Sequence, residues 1–119
     1  MKKGTELDLS HFTGTDTYYL HKVIGRQMLL TDGCKYVAEE GEAYWLFDLI
    51  LSYQQDKVLQ EEDFQVWNLK KKPDKGWIVT CDDGNNHILI TQHIAYSDIS
   101  VHAIKFYLID GVCMLASEY

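Results

Sequence analysis

Between Phe64 and Ile109 short apolar runs are cut by Pro73-Asp74-Lys75-Gly76, Asp83-Gly84-Asn85-Asn86 and Tyr96-Ser97-Asp98. The runs are rich in Val, Ile, Trp, Tyr and Phe, side chains that suit a pleated, half-buried surface. The residues between them supply the backbone angles that reverse a chain. This alternation predicts an antiparallel meander of four or more strands over about 64–115. It defines an architecture and no activity. The chain carries no P-loop, GxGxxG, GxSxG or HExxH motif, so nucleotide, acyl-transfer and zincin chemistries have no signature here.

Upstream, the pattern changes period. Ala43, Tyr44, Trp45, Leu46, Phe47, Leu49, Ile50, Leu51 and Tyr53 leave only Asp48, Ser52 and Gln55 as a polar stripe, spaced four and three apart. That spacing predicts one main helix over about 42–55. Its apolar circumference is wider than a surface helix needs, so it is packed on more than one side or shared with a second subunit. Thr15 or Asp16 suits the cap of a short N-terminal helical segment over Tyr18, Tyr19 and Leu20. Gln27 to Leu30 reads as a short strand ended by the Thr31-Asp32-Gly33 turn, with a helical turn or two from Cys34 to Glu40. Residues 1–6 are polar and terminal, and are expected to be flexible. Residues 7–119 are then a single α+β domain, helix preceding strands, with the helix across one sheet face.

At 119 residues, 46% of them hydrophobic and 13% aromatic, the chain can bury a core. No apolar run approaches the roughly 20 residues that span a bilayer, and Met1 to Asp8 has no apolar stretch typical of a secretory signal. No membrane association is expected. Cys34, Cys81 and Cys113 lack CxxC spacing and read as reduced thiols of a cytoplasmic protein. The formal charge of −7 repels phosphate backbones, which disfavours nucleic acid. The basic run Lys70-Lys71-Lys72 with Lys75 brackets Pro73 and reads as a solvated hairpin tip. Acid gathers instead between Glu39 and Asp63, where Glu39, Glu40, Glu42, Asp48, Asp56, Glu61, Glu62 and Asp63 face Lys57 alone.

Candidate chemistry is sparse. Cys34 follows Gly33 at a helix start, where a dipole lowers a thiol pKa, yet a buried passive thiol explains it better. Asp82-Asp83-Gly84-Asn85 with His87 lacks the alternating carboxylates and distal Glu of a calcium loop and fits a tight turn. His87 and His93 are six apart on one strand face, too far for one metal without a bend. No metal or cofactor is implied. Trp45, Trp67 and Trp77 read as core aromatics before a stacking platform.

Phe12-Thr13-Gly14-Thr15, Tyr18-Tyr19, Thr31-Asp32-Gly33 with Lys35-Tyr36 and Ala38-Glu39, Ala43-Tyr44-Trp45-Leu46 with Asp48, Phe64-Gln65-Val66-Trp67, Cys81-Asp82-Asp83-Gly84-Asn85 and Ser117-Glu118-Tyr119 form a pattern over nearly the whole chain. The pattern resembles a small family of uncharacterised bacterial, cyanobacterial, phage and plasmid proteins. A proline is expected where Ala116 stands. The resemblance implies an association with mobile elements and no catalytic residue.

Two function classes remain. One is a non-enzymatic acidic binding protein that meets a protein partner through its acidic surface, or itself, as a homodimer, through the helix-bearing face. The other is a small-molecule binder or hydrolytic enzyme with a polar pocket between the N-terminal segment and the sheet. Candidate pocket residues are Tyr18, His21, Glu39, Asp48, Asp82 and Glu118, polar groups set among core elements.

Overall fold

The computed structural model describes residues 7–119 apart from Ile24, Lys75 and Asp98; the expected flexible stretch 1–6 lies outside the described residues. Among the described residues the chain runs β1 (Tyr19–Val23), β2 (Arg26–Leu30), α1 (Asp32–Glu40), α2 (Tyr44–Ser52), a 3₁₀ turn (Tyr53–Gln55), α3 (Lys57–Gln60), β3 (Phe64–Lys71), β4 (Trp77–Asp82), β5 (Ile88–Ile94), β6 (Ala103–Ile109), β7 (Val112–Leu115) and a final 3₁₀ turn (Ala116–Glu118). All seven strands share one sheet in the order β1-β2-β7-β6-β3-β4-β5.

The α+β class holds, but three expectations need correction. The sheet is mixed and is not a plain meander: β2 pairs with β7 in parallel, and β6 returns to lie against β3 instead of β5. The order β6-β3-β4-β5 is a Greek key. The eight residues 95–102 are too many for a tight hairpin, and they carry Ile99 and Val101 into the core. Strand β6 buries Ile104, Phe106 and Leu108 and takes the sheet's middle, whereas Thr91 and His93 of β5 are exposed at an edge. Second, the main helix is nine residues, not fourteen. Glu42 has φ 52, so no helix begins there, and the chain tightens into the 3₁₀ turn after Ser52. Third, Tyr19 and Leu20 lie in a strand instead of a helix. Tyr19, His21 and Val23 alternate with Leu20 and Lys22, and the Thr15 hydroxyl caps a different helix by accepting from the Asp32 N–H at 2.8 Å.

Helix α1 starts at Thr31, whose hydroxyl accepts from Cys34 N–H at 3.4 Å. Helix α2 lays Leu46, Phe47, Ile50 and Leu51 on the sheet, with Phe47 edge-on to Phe106 at 5.4 Å. Its flanks are held as well. His21 of β1 reaches Asp48 on one side, and Gln92 of β5 accepts from Tyr53 Oη at 2.6 Å on the other. Both edge strands thus bend toward the same helix, which explains why it is apolar nearly all round while Asp48, Ser52 and Gln55 stay exposed.

Candidate functional site

The six candidate pocket residues disperse, with one exception. Tyr18 is exposed ahead of β1. Glu39 sits on the outer side of α1, 3.6 Å from Lys35 one turn earlier. Asp82 accepts from Gly84 N–H at 2.8 Å and Asn68 Nδ2 at 3.4 Å, which closes the β4–β5 turn. Glu118 accepts from Thr31 Oγ1 (2.6 Å), Gly33 N–H (3.0 Å) and Leu115 N–H (2.9 Å). A Cβ on Gly33 would sit 2.6 Å from that carboxylate and 2.5 Å from Leu115, so a larger residue would push both side chains aside. The first turn of α1 is therefore capped from within.

His21 and Asp48 do meet, Nε2 to Oδ1 at 2.8 Å, with the imidazole mostly covered and the carboxylate exposed. Around them stand residues that the sequence did not single out. The imidazole stacks on Tyr44 at 6.0 Å, and Lys35 Nζ donates to Tyr44 Oη at 2.9 Å while lying 5.3 Å over the Tyr19 ring. Bonding to the Tyr44 hydroxyl is the main influence raising the Lys35 pKa. The signal for this cluster is spacing: Tyr19 and His21 alternate on β1, and Tyr44 and Asp48 are one turn apart on α2. The groups form a shallow surface shelf in which His21 Nε2, Asp48 Oδ1, Lys35 Nζ and Tyr44 Oη already have partners, an arrangement suited to holding β1 against the helices.

A separate concavity lies on the helix side of the sheet. A cavity of about 390 Å³ opens between the β1–β2 turn, the end of α2, α3 and the β6–β7 turn, and none of the six candidates lines it. Its floor includes Gln65, 3% exposed, whose amide pairs reciprocally with Gln54 at 2.8 and 3.0 Å and accepts from Trp67 Nε1 at 2.9 Å. The buried amide is satisfied by protein groups, which fits a structural role.

The largest unclaimed feature is the sheet face opposite the helices. Directly paired residues share a face, so the register places Leu20, Leu29, Val112, Ile109 and Phe64 in one row across five strands. A second row sets Met114, Tyr107, Val66 and Asp82 side by side. Leu20 is 55% and Leu29 36% exposed, where the inward Met28 and Leu30 are at most 3%. Phe64 and Tyr107 lie 5.1 Å apart, and Tyr119, 77% exposed, leans on both. Among the described residues no helix crosses this face. Sequence reading placed surplus apolar surface on α2, where Tyr44 is 39% exposed; the register adds this second apolar surface.

Cys34 and Cys81 are poor nucleophiles. Cys34 is fully buried 3.8 Å from Cys113, and desolvation, then that neighbour, push its pKa well above the ordinary value. Burial drives Cys81 up to about 12. His87 pairs with Asp83 at 2.8 Å inside the turn, and a register shift between Cys81 and Asp82 separates it from the regular alternation that ends in His93. Hydrogen bonding from His87 is the main cause holding Asp83 below the usual carboxylate range. Among the described residues no three His, Cys, Asp or Glu side chains gather as metal ligands, and no helix is long and apolar enough to cross a membrane.

The structure is thus a small α+β fold with a polar shelf at the β1 edge and a partly open apolar row on the sheet face opposite the helices. The chain belongs to a family of unknown function, DUF6876, whose model matches residues 3–119. No curated protein and no solved structure matches it.

Proposed function

We propose that this is a non-enzymatic binding protein that works through protein contact on its uncovered sheet face. The observation that carries the reading is the row Leu20, Leu29, Val112, Ile109 and Phe64, apolar and continuous on a chain of formal charge −7. Soluble proteins that leave a contiguous apolar surface open generally use it. A cytoplasmic setting, supported by three free buried thiols, and a bacterial or mobile-element source belong to the same reading. The test is capture of protein partners by the wild type, by Leu29→Glu and by Asp48→Ala, each first shown folded by circular dichroism. Partners held by the wild type and Asp48→Ala but lost with Leu29→Glu support it. Loss with Asp48→Ala alone would point to the α2 shelf instead.

A small-molecule role has one observation in its favour, the 390 Å³ cavity between the β1–β2 turn and α3. Its test is a thermal-shift screen, with Gln27→Ala at the rim expected to abolish any stabilisation found.

A further inference from the structure

We infer that the partner seated on the open sheet face is an acidic protein surface, one that sets apolar side chains among aspartates and glutamates. The inference rests on the reading of that face as a binding surface and adds the chemistry of its occupant. The warrant is where the charges of this chain reside. The strands carry one carboxylate, Asp82, against Lys22, Arg26, Lys70, Lys71 and Lys105. Arg26 and Lys71 belong to the helix side: Arg26 lines the cavity, and Lys71 Nζ lies 4.5 Å from the ring centroid of the inward-facing Trp77. Lys22, Lys70 and Lys105 alternate with the inward residues of their strands and stand exposed on the open face. Lys22, beside Gln27, flanks the apolar rows on one side. Lys105, beside Asn68, and Lys70, beside Ile78, flank them on the other. None of these lysines is ion-paired to a carboxylate among the described residues. Asp82 is already engaged by Gly84 N–H and Asn68 Nδ2.

The excess acid lies behind the sheet. Glu39, Asp48 and Asp56 sit on α1, on α2 and at the start of α3, while Glu62, Asp63 and Asp110 line the helix-side cavity. A chain of formal charge −7 thus presents a locally cationic, apolar face. Salt screens charge over about 8 Å under physiological conditions, so a docked partner senses the lysines beneath it more than carboxylates a layer of helices away. Interfaces pair opposite potentials, and lysines flanking leucine and aromatic rows match apolar residues rimmed by Asp and Glu. Nucleic acid would meet lysines spread across the sheet and a middle of Leu, Val and Ile that offers phosphates no side-chain donor. A second copy could bring its acidic helix side to these lysines, but a face-to-back contact of that kind repeats without closing.

The probes are two synthetic amphipathic peptides with the same leucine pattern, one with glutamate at every polar position and the other with lysine, together with oligo-dT. Methyl NMR of the full chain follows Leu20 and Leu29 as each probe is added. The glutamate peptide is expected to shift both leucines and to bind at least about tenfold tighter than the lysine peptide. Lys70→Glu with Lys105→Glu should weaken the glutamate peptide about tenfold and remove its advantage over the lysine peptide. Both side chains are exposed, so the fold should survive the exchange. Leu29→Asn, which alters no charge, should weaken the glutamate peptide about fivefold. Ser52→Lys, on the exposed stripe of α2, should leave it unchanged. Preference for the lysine peptide, displacement of the glutamate peptide by oligo-dT, or polymerisation of the wild type overturns the inference. Equal binding of both peptides, weakened by Leu29→Asn, refutes the acidic occupant and leaves the binding face standing. Failure of both peptides to shift Leu20 and Leu29 overturns the inference, and the capture test with Leu29→Glu then decides the binding face alone.

Discussion

The two halves of this sheet are joined to their neighbours by different means. From Phe64 to Ile94, β3, β4 and β5 are linked by hairpins whose partners are close in sequence, with Lys71 opposite Trp77 and Asp82 opposite Ile88. The N-terminal half reaches the same sheet through two parallel register pairs, Leu29 with Val112 and Leu30 with Cys113. It is secured there by hydrogen bonds across 85 and 87 positions, from the Gly33 N–H and the Thr31 hydroxyl to the Glu118 carboxylate. Short-range turn chemistry writes the first half, and a few long-range polar contacts hold the second.

The heaviest blow to that contrast is removal of Glu118. Glu118→Ala leaves Thr31 Oγ1, Gly33 N–H and Leu115 N–H without their acceptor in a part-buried seam and is expected to cost about 3 kcal/mol. Chemical denaturation measures it. Native-state hydrogen exchange should show α1 and β2 loosened while β3, β4 and β5 stay protected. Uniform loss across both halves would show that the seam is not where the halves part.

How much of this was legible in the sequence follows the same division. Turn residues between Phe64 and Leu115 announced the strands because a hairpin is decided within a few residues. They could not announce that β6 sits beside β3, because β-pairing choice depends on which strand buries most apolar surface. The pattern Thr13-Gly14-Thr15, Thr31-Asp32-Gly33 and Ser117-Glu118-Tyr119 was visible as a motif, but its meaning was not. Thr15 bonds Asp32, and Thr31 and Gly33 bond Glu118, so these residues form one structural knot. Glu118 was a candidate on polarity alone and turns out to cap α1. Tyr44 and Lys35 were not read as site residues because their proximity to His21 is a product of tertiary packing.

Alkali sharpens the comparison at the next level. Cys34 lies at the seam and Cys81 in the hairpin half, and burial raises the folded pKa of each above the ordinary 9.0. Their contribution to stability is complete below about pH 9 and is lost as pH rises toward the folded values, because only the unfolded thiols ionise. At pH 10 Cys81 is expected to remove about 1.4 kcal/mol, and Cys34 to act in the same direction. Melting curves of Cys34→Ala and Cys81→Ala should each show a shallower alkaline slope than the wild type. Equal slopes in all three proteins would mean that the thiols titrate freely.

The smallest effect belongs to the shelf at the edge. Asp48 is 54% exposed, so the His21 contact should contribute under about 1 kcal/mol, and Asp48→Ala should shift the melting midpoint only slightly. A loss of several kcal/mol would make the β1 edge, and not the Glu118 seam, the anchor of the N-terminal half.

The uncovered face is tested most directly by methyl NMR with a soluble paramagnetic agent, in dilute protein and again with the binding partner saturating. Leu20 and Leu29 are expected to be strongly broadened in the dilute sample, where Leu30, Leu46 and Leu69 are not, and to regain their intensity in the complex. Leu20 and Leu29 shielded in the dilute monomer, or still broadened in the complex, would contradict the account.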